Sequence, residues 1–325
     1  MTEPTVVINV NRLGEHLVKG LASLAPDTAA FVEGFQAAGW RVRLADWHSL
    51  DLNTGQWSDL YDLNERRMVE VTDIEKPADL AVVRSVGSVE AQFDDIGRYF
   101  RVLKDQLGSC VINHPDAMDY GKDKKYIISL TQRGFPTIPT RSFEASVSLE
   151  TLLQETADWG AGATVVKPVT GEAGNSCALL DSISEASLRW KEDKVGGWLA
   201  QPFVAEVMDG ERSFVFVGTR CIYGVRKTPQ RSQFKVNSRW EPTYSLCQIS
   251  AHEMSLALNI HDAWHLPLHT WRLDLVGPCE SPQIMEVETV NPGFYIGKVN
   301  LGNFQSELFT EITSHARNLL RNGRE

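Results

Sequence analysis

The first 113 residues alternate strand-like and helix-like segments, and this alternation restricts the fold more than any other feature. Thr5–Val10 is a β-branched run and Leu80–Val83 is a second apolar run, and both predict strands. Residues 27–38 and 93–107 carry apolar side chains at helical spacing, and each stretch is followed by a glycine. Strands that alternate with helices form βαβ units with parallel strands. The sequence therefore predicts an α/β fold that begins with a βαβ domain over residues 1–113, built on a mainly parallel sheet.

After residue 113 the pattern changes to short runs that favour antiparallel strands. These runs lie at residues 199–204, 213–217, 220–226, 271–276 and 284–290. The last two flank Gly277 and Pro278 and predict a hairpin. We therefore predict α+β structure in two further lobes, a small one over residues 114–196 and a C-terminal one over residues 197–325. The polar, basic stretch at 228–244 lacks periodicity and predicts a mobile loop.

Composition excludes several classes of protein. The 325 residues contain no apolar run of membrane-spanning length, so we expect no membrane partner. The net charge of −10 argues against a broad basic face, so we expect no nucleic acid partner. The five cysteines are scattered, odd in number and without a CxxC pair, which suits a reducing compartment. Because the N-terminus also lacks a basic segment before an apolar one, we expect a cytoplasmic protein.

Four groups of polar residues follow one another in an order that suits a nucleotide site. They are Lys124 at a helix start; Lys167 before a loop with Gly171 and Gly174; Gln201, Pro202, Phe203 and Val204 before Glu211; and Arg272 with Asp274 before Glu286 and Glu288. Lysines neutralise phosphate oxygens, and a glycine loop brings backbone N–H groups close to them. Glu286 and Glu288 share one face of a strand because side chains alternate along it. With Asp274 opposite, three carboxylates would offer the hard oxygen ligands that Mg²⁺ uses.

The order and wording of these motifs resemble the ATP-grasp superfamily. Within it, the chain is similar to glutathione synthetase, to ribosomal S6-type glutamate ligases and to the cyclo-ligase that forms D-cycloserine. The resemblance covers roughly residues 111–320. It implies a two-lobed ATP-grasp fold, preceded by the substrate domain that usually comes before the grasp in this superfamily.

The resemblance also implies a role for each matched residue. Lys124 and Lys167 match the two lysines that bind ATP phosphates, and the glycine loop lies beside them. The hinge that reads adenine through its backbone is matched by Gln201, Pro202, Phe203 and Val204. Glu211 matches the acid that holds the ribose. Arg272 matches the arginine that steadies charge at the reacting carboxyl. Arg226 and Asn237 fall where the superfamily has a basic residue and an asparagine near the phosphates, and Arg226 is thereby a second catalytic candidate.

The metal motif departs from the superfamily pattern. Asp274 and Glu286 match metal ligands, but the usual Glu-x-Asn reads Glu286-Val-Glu288 here. A carboxylate still ligates Mg²⁺, so Glu288 is expected as the third ligand, with Asn291 as the alternative. The resemblance implies ATP with two Mg²⁺ ions, for which Mn²⁺ is a substitute.

The implied function is an ATP-dependent ligase that activates a carboxylate as an acyl phosphate and joins it to an amine, releasing ADP and phosphate. Its expected partners are small, amino-acid-like carboxylate and amine substrates, and a homodimer is the base-rate assembly. Water would hydrolyse the acyl phosphate, so the loop at 228–244 is expected to act as a lid. A cyclising ligase of natural-product biosynthesis stays open. So do a ligase for a peptide or protein tail, a non-catalytic ATP-binding regulator and a kinase.

Two further sequence features have less specific interpretations. His261, His265 and His269 mimic a zinc helix, but Asp262 stands where a metalloprotease needs glutamate, so a structural role is favoured. Arg84 ends a predicted strand of the first domain, before Gly87 and Ser88. It is either a ligand for a substrate carboxylate or a surface arginine, and the sequence does not separate the two.

Overall fold

A computed structural model of the chain describes residues 3–70, 77–87, 92–159, 164–171, 177–180, 184, 196–230, 235–236 and 240–322. These residues form three sheets with helices packed on them. The mixed α/β architecture that the sequence predicts is confirmed.

The first sheet holds the N-terminal part of the chain. Its strands are β1 (Thr5–Val10), β2 (Arg41–Asp46), β3 (Asp59–Asp62), β4 (Arg67–Glu70), β5 (Leu80–Val83) and β6 (Val111–Ile112), in the order β4-β3-β2-β1-β5-β6. The β1, β2, β5 and β6 pairings are parallel, as predicted. The β3–β4 hairpin is antiparallel and was not predicted.

Helices cover both faces of the first sheet. They are α1 (Leu13–Lys19), α2 (Pro26–Ala37) and α3 (Phe93–Leu107). The Phe31 and Phe35 rings of α2 pack into one core, while Tyr99 and Phe100 of α3 pack into a separate core. Three-residue 3-10 turns at Leu21–Ser23 and Trp47–Ser49 lie in the connections.

The second sheet is small and antiparallel. Helices α4 (Pro115–Gly121) and α5 (Tyr126–Gln132) lead to β7 (Arg141–Phe143), α6 (Leu149–Thr156), β8 (Thr164–Pro168), β9 (Ala178–Leu179) and β10 (Trp198–Pro202). The strand order is β7-β10-β8-β9, and α6 packs on it through Leu152. A 3-10 turn at Ala157–Trp159 follows α6. Strand β10 completes this sheet although it lies beyond the predicted lobe boundary at residue 197.

The third sheet carries the C-terminal strands. They are β11 (Glu211–Val217), β12 (Arg220–Thr228), β13 (Thr243–Cys247), β14 (Thr270–Val276) and β15 (Gln283–Glu288), in the order β13-β12-β11-β14-β15 and antiparallel throughout. The 3-10 segment Ala205–Asp209 precedes β11. The predicted β14–β15 hairpin is confirmed. Helix α7 (Ala251–Trp264) packs on this sheet together with α5.

The C-terminal helix and one asparagine join the first and third sheets. Helix α8 (Asn303–Asn322) packs against α2, where the rings of Phe31 and Phe309 meet edge to face at 5.2 Å. Asn113, directly after β6, donates to the carbonyl of Thr289 and accepts from the backbone N–H of Thr270. The described residues include no helix with both the length and the apolarity that a membrane crossing needs.

Candidate active site

A cleft of about 590 Å³ lies where residues from all three sheets meet. Its charged lining comes from Asp27, Arg84, Lys124, Lys167, Glu211, Lys227, Arg272, Asp274, Glu286, Glu288 and Lys298. The structure therefore brings together the predicted phosphate lysines, the predicted acids and Arg272. Gly174 and Asn237 lie outside the described residues, as do residues 231–234 and 237–239 of the predicted lid.

The acidic hairpin β14–β15 forms one side of the cleft. In its register Asp274 lies opposite Glu286, and Arg272 lies opposite Glu288, so the alternation predicted for Glu286 and Glu288 holds. Arg272 donates to both oxygens of Asp274, at 2.7 and 2.8 Å, and the Ser213 hydroxyl donates at 2.7 Å. Burial works against ionisation of Asp274, yet the cations Arg272 and Lys227 keep its pKa below the ordinary range. Asp274 is therefore a fixed, ionised carboxylate.

The two predicted phosphate lysines face this hairpin. Lys124 donates from Nζ to the Gly171 carbonyl at 2.7 Å and lies 3.1 Å from Glu286 Oε1. Lys167 is on β8, where burial lowers the pKa of its ammonium group and the charge of Glu286 opposes that shift. The Lys124 side chain thus bridges the glycine loop and the acidic hairpin.

An apolar slot of about 110 Å³ opens beside the cleft. The predicted hinge residues Gln201, Pro202, Phe203 and Val204 line it together with Ile138, Val165, Val207, Val236 and Met285. Gln201 is held by a 2.8 Å hydrogen bond to the Thr140 hydroxyl. Lys167 and Glu211 line both the slot and the cleft, so the two spaces are continuous. A flat apolar ring placed in the slot would have its polar tail directed at the lysines.

Glu211 lies at the junction of slot and cleft and is only 3% exposed. Its cross-strand neighbour Lys227 forms an ion pair with it and lies 3.6 Å from Asp274 Oδ2. Burial raises the pKa of Glu211, and Lys227 opposes that shift. Lys227 is a residue that the sequence reasoning missed. Only the register between β11 and β12 reveals it: a bulge at Val215/Phe216 shifts the pairing so that Lys227 lies opposite Glu211, which puts both side chains on one face.

The side chain of Arg226 does not point into the cleft, whereas we expected it near the phosphates from the sequence. Successive residues of a strand point to opposite faces, so Arg226 projects away from the face that carries Lys227. Its guanidinium donates to the carbonyl of Asp209 at 3.1 Å, and it is absent from the residues that line the cleft. In the structure Lys227, not Arg226, is the β12 cation that faces the acids.

The acids offer oxygen ligands but are paired with protein cations. Among the described residues, no three His, Cys, Asp or Glu side chains form a group that could hold a metal ion, and ion pairs join Lys124 to Glu286 and Arg272 to Asp274. Glu288 Oε1 accepts from the backbone N–H groups of Val290 and Asn291, at 3.3 and 3.4 Å. The Asn291 side-chain oxygen is buried, and the described part of the chain offers it no hydrogen-bond donor. Carboxylate and amide oxygens of this kind are the donor set that suits Mg²⁺.

The three histidines of the zinc-like sequence do not converge. His265 follows the last residue of α7 and contacts Arg133 Nη2 at 3.2 Å. His269 lies 2.8 Å from His315, with Nδ1 facing Nε2 of the partner ring. His261 packs near the Trp271 ring. The structural interpretation is therefore supported for this part of the described chain.

Comparison with known proteins agrees with this geometry. No protein-family model matches the chain. A curated relative from Shewanella halifaxensis (strain HAW-EB4), named probable alpha-L-glutamate ligase, is 24% identical over 193 residues, which is 58% of this chain and 41% of the relative. The chain thus matches less than half the length of that relative.

Two solved structures cover nearly the whole chain. The crystal structure of D-cycloserine synthetase DcsG superposes with a TM-score of 0.71 at 17% identity, over 97% of this chain and 99% of that one. The ATP-grasp ligase PsnB, complexed with a phosphomimetic variant of its minimal precursor, Mg and ADP, gives a TM-score of 0.62 at 13% identity, over 97% and 99%. This chain therefore has the ATP-grasp fold.

Proposed function

We propose that this chain is an ATP-dependent carboxylate–amine ligase that acts on small, amino-acid-like substrates through an acyl phosphate and releases ADP and phosphate. The observation that carries the proposal is the position of Lys124 and Lys167. Lys124 lies 3.1 Å from Glu286 of the acidic hairpin, and Lys167 lines both the cleft and the apolar slot. An ATP-grasp fold with this arrangement suits phosphoryl transfer between two anions, which needs cations around the transferred group.

In this proposal the nucleotide spans the slot and the cleft. Adenine enters the slot against the hinge at residues 201–204, and Glu211 meets the ribose at the junction. Lys167 and Lys124 neutralise the phosphates. Because Lys124 contacts Glu286 in this structure, we expect its ammonium group to exchange that carboxylate for a phosphate oxygen when the nucleotide binds.

Asp274, Glu286 and Glu288 would hold Mg²⁺, with the Asn291 amide as the alternative ligand. When bound, Mg²⁺ supplies charge neutralisation at the phosphate oxygens. The protein's own contribution is to keep Asp274 ionised through Arg272, so that a hard anionic ligand is already in place. The number of ions and the use of Mn²⁺ belong to this proposal.

The substrate carboxylate attacks the γ-phosphorus and becomes an acyl phosphate, and ADP leaves. The amine then attacks the acyl carbon, and a tetrahedral oxyanion forms before phosphate departs. We assign the stabilisation of that oxyanion to Arg272, because Asp274 fixes its guanidinium and the Tyr295 ring lies 5.6 Å from it. One such donor contributes on the order of 10²–10³ in rate.

The proposal also assigns a role to each segment of the chain. Residues 1–113 bring Asp27 and Arg84 to the cleft and would form the substrate domain. Residues 114–196 and 197–325 would be the two lobes that enclose the nucleotide. The stretch at 228–244 would cover the acyl phosphate against water.

A peptide acceptor is a second candidate, favoured by the similarity to PsnB, which was solved with a precursor. A cyclising reaction is a third, favoured by the similarity to D-cycloserine synthetase DcsG. The products separate these candidates. Intermolecular ligation joins two masses with loss of water, cyclisation lowers one mass by water, and a peptide-directed enzyme is inactive on free amino acids.

A pairwise screen of amino acids for ADP release, with mass spectrometry of the products, tests the proposal. We expect release that requires both a carboxylate and an amine. Lys167→Ala and Glu286→Ala should abolish it, whereas Lys125→Ala, an exposed neighbour of Lys124, should keep it. Wild-type turnover in either site variant would contradict the site assignment, and ATP turnover without a joined product would contradict the ligase.

A further inference from the structure

Arg84 is a buried cation at the edge of the cleft that the proposed chemistry does not use. It follows β5 directly, lines the cleft and is only 4% exposed. The surface-arginine interpretation is therefore wrong. A buried guanidinium requires compensation by hydrogen bonds and opposite charge, so its partners decide what it does.

The guanidinium of Arg84 packs against two neighbouring aromatic rings whose centres are 5.5 Å apart. Its carbon lies 4.7 Å from the centre of the Phe31 ring and 4.9 Å from the centre of the Phe294 ring. Stacking on aromatic faces fixes the plane of a guanidinium and leaves its N–H edge for other partners. Phe31 comes from α2 and Phe294 from the loop after β15, so the contact of both rings with the guanidinium forms only in the folded chain.

The polar partners of Arg84 are few. Nη1 donates to the carbonyl of Pro292 at 3.2 Å, and the buried Nε has no hydrogen-bond acceptor among the residues that the structure describes. Asp27 lies 3.9 Å away, beyond hydrogen-bond distance, and its two oxygens accept from the backbone N–H groups of Phe294 and Ile296. Burial lowers the pKa of Arg84 to about 10, and the charges of Asp27 and Glu288, with Tyr223, only partly oppose this shift. The cation thus lacks a full counter-charge.

We propose that Arg84 binds a substrate carboxylate that stays unreacted, namely the α-carboxylate of the amino acid that supplies the amine. This inference rests on the proposed ligase function. The phosphoryl groups have their own cations in Lys124 and Lys167, and Arg272 is engaged with Asp274. Arg84 follows β5 of the first sheet, whereas those three cations lie on other elements around the same cleft, and a guanidinium edge matches a carboxylate in two parallel hydrogen bonds.

Calorimetric binding of free amino acids and their α-carboxamides tests this assignment without turnover. The probes are D- and L-alanine, L-serine and L-glutamate with the matching amides, titrated into protein saturated with Mg²⁺ and ADP. Wild type should bind at least one free acid about 10- to 100-fold more tightly than its amide, since hydrogen bonds to charged groups are worth that much. Arg84→Gln should bring the two affinities close together, and Arg84→Lys should give an intermediate ratio.

Arg43→Gln is the matched control. Arg43 is also a buried arginine of the first sheet, 5% exposed, but it pairs with Asp62 and the Pro77 carbonyl. Its loss should lower the melting temperature and leave the acid-to-amide ratio unchanged. ADP affinity should be wild-type in the Arg84 variants, which shows that they are folded.

Two results would overturn the assignment. The first is that wild type binds no free acid more tightly than its amide, which includes the case in which it binds neither the acid nor the amide. The other is an Arg84→Gln variant that keeps the preference. Failure of the ligase proposal is a separate observation, because it consists of absent ADP release in the substrate screen and does not affect this binding ratio.

Discussion

At the scale of single residues, Lys227 is the cation that connects two acids of the site. It pairs with Glu211 and lies 3.6 Å from Asp274, and both acids are buried. Removing one partner of a buried ion pair leaves a charge without compensation, at a cost of roughly 3–5 kcal/mol. Lys227 therefore favours the ionised forms of Glu211 and Asp274 and holds both side chains in place for the proposed nucleotide and metal roles.

Lys227→Met should lower ADP release by about 10²–10³-fold, the loss typical of one charge-stabilising group. Arg226→Met is the control on the opposite strand face and should stay within about 2-fold, as expected of a surface change within 0.5 kcal/mol. Steady-state kinetics with melting curves measure both. Equal losses in the two variants would contradict the assignment of Lys227 to the site.

His269 should make folding sensitive to acid. Burial, with the neighbouring His315 and His114 as smaller causes, lowers its pKa to about 3 from an ordinary value of 6.5. Above pH 6.5 the ring is neutral in both the folded and the unfolded chain, so stability is complete. As pH falls from 6.5 towards 3, only the unfolded chain gains the proton, and the free energy of unfolding falls by up to about 1.4 kcal/mol per pH unit.

Urea unfolding at pH 7 and pH 5 tests this dependence, with His269→Gln as the comparison. The wild type should lose more stability between the two pH values than the variant does. An identical loss in both proteins would assign the acid sensitivity to other groups.

At the scale of elements, helices α2 and α8 approach so closely that only glycine fits at residue 34. A Cβ there would lie 2.6 Å from ring carbons of Phe309, so the ring must move. Gly34→Ala should therefore lower the free energy of unfolding by about 1–3 kcal/mol, the cost of overpacking, despite the better helix propensity of alanine. Gly14→Ala in α1 has open space around the added carbon and should not destabilise.

A double-mutant cycle with Phe309→Ala, which removes the ring atoms nearest the added Cβ, measures whether the Gly34 effect comes from this contact. Part of the destabilisation should disappear in the double variant. Strict additivity of the two changes would mean that the Phe309 ring is not the obstacle.

The elements show how far the sequence determines the site. Period-two alternation was enough to put Glu286 and Glu288 on one face of β15, because that inference needs a single strand. To choose Lys227 over Arg226 requires the register between β11 and β12. That register pairs residues 16 apart in the chain and is set by packing. The β3–β4 hairpin was missed because its strands are short and rich in Asp, Arg and Glu, which weakens the hydrophobic signal.

Arg84 illustrates the limit of local reasoning. Its sequence neighbours mark it only as the end of a strand. Burial of its side chain depends on Phe31 and Phe294, which are 53 residues before and 210 residues after it in the chain. Contacts at such separation follow from the tertiary fold and carry no local pattern.

At the scale of the whole molecule, the cleft exists only while the first and third sheets stay together. Asn113 ties β6 to the backbone of Thr270 and Thr289, and Asp27 ties α2 to the loop that carries Phe294. A ligand that bridges these parts binds the folded state alone, so it should raise stability. At a concentration 100 times its dissociation constant the gain is about 2.7 kcal/mol.

Mg²⁺ with ADP should accordingly raise the melting temperature of the wild type, and the gain should shrink in Lys167→Ala. Adding EDTA should reduce the gain in wild type, because the carboxylates on β14 and β15 would then face the phosphates without a cation. An undiminished rise in melting temperature after both changes would mean that the nucleotide binds elsewhere.

Oxygen transfer from the carboxylate to phosphate tests the central claim most directly. With a substrate identified in the screen and labelled with ¹⁸O in its reacting carboxylate, the amine displaces a phosphate that keeps one carboxylate oxygen. Mass spectrometry should therefore find one ¹⁸O in each inorganic phosphate released and one in each amide product. Unlabelled phosphate together with a joined product would contradict activation as an acyl phosphate.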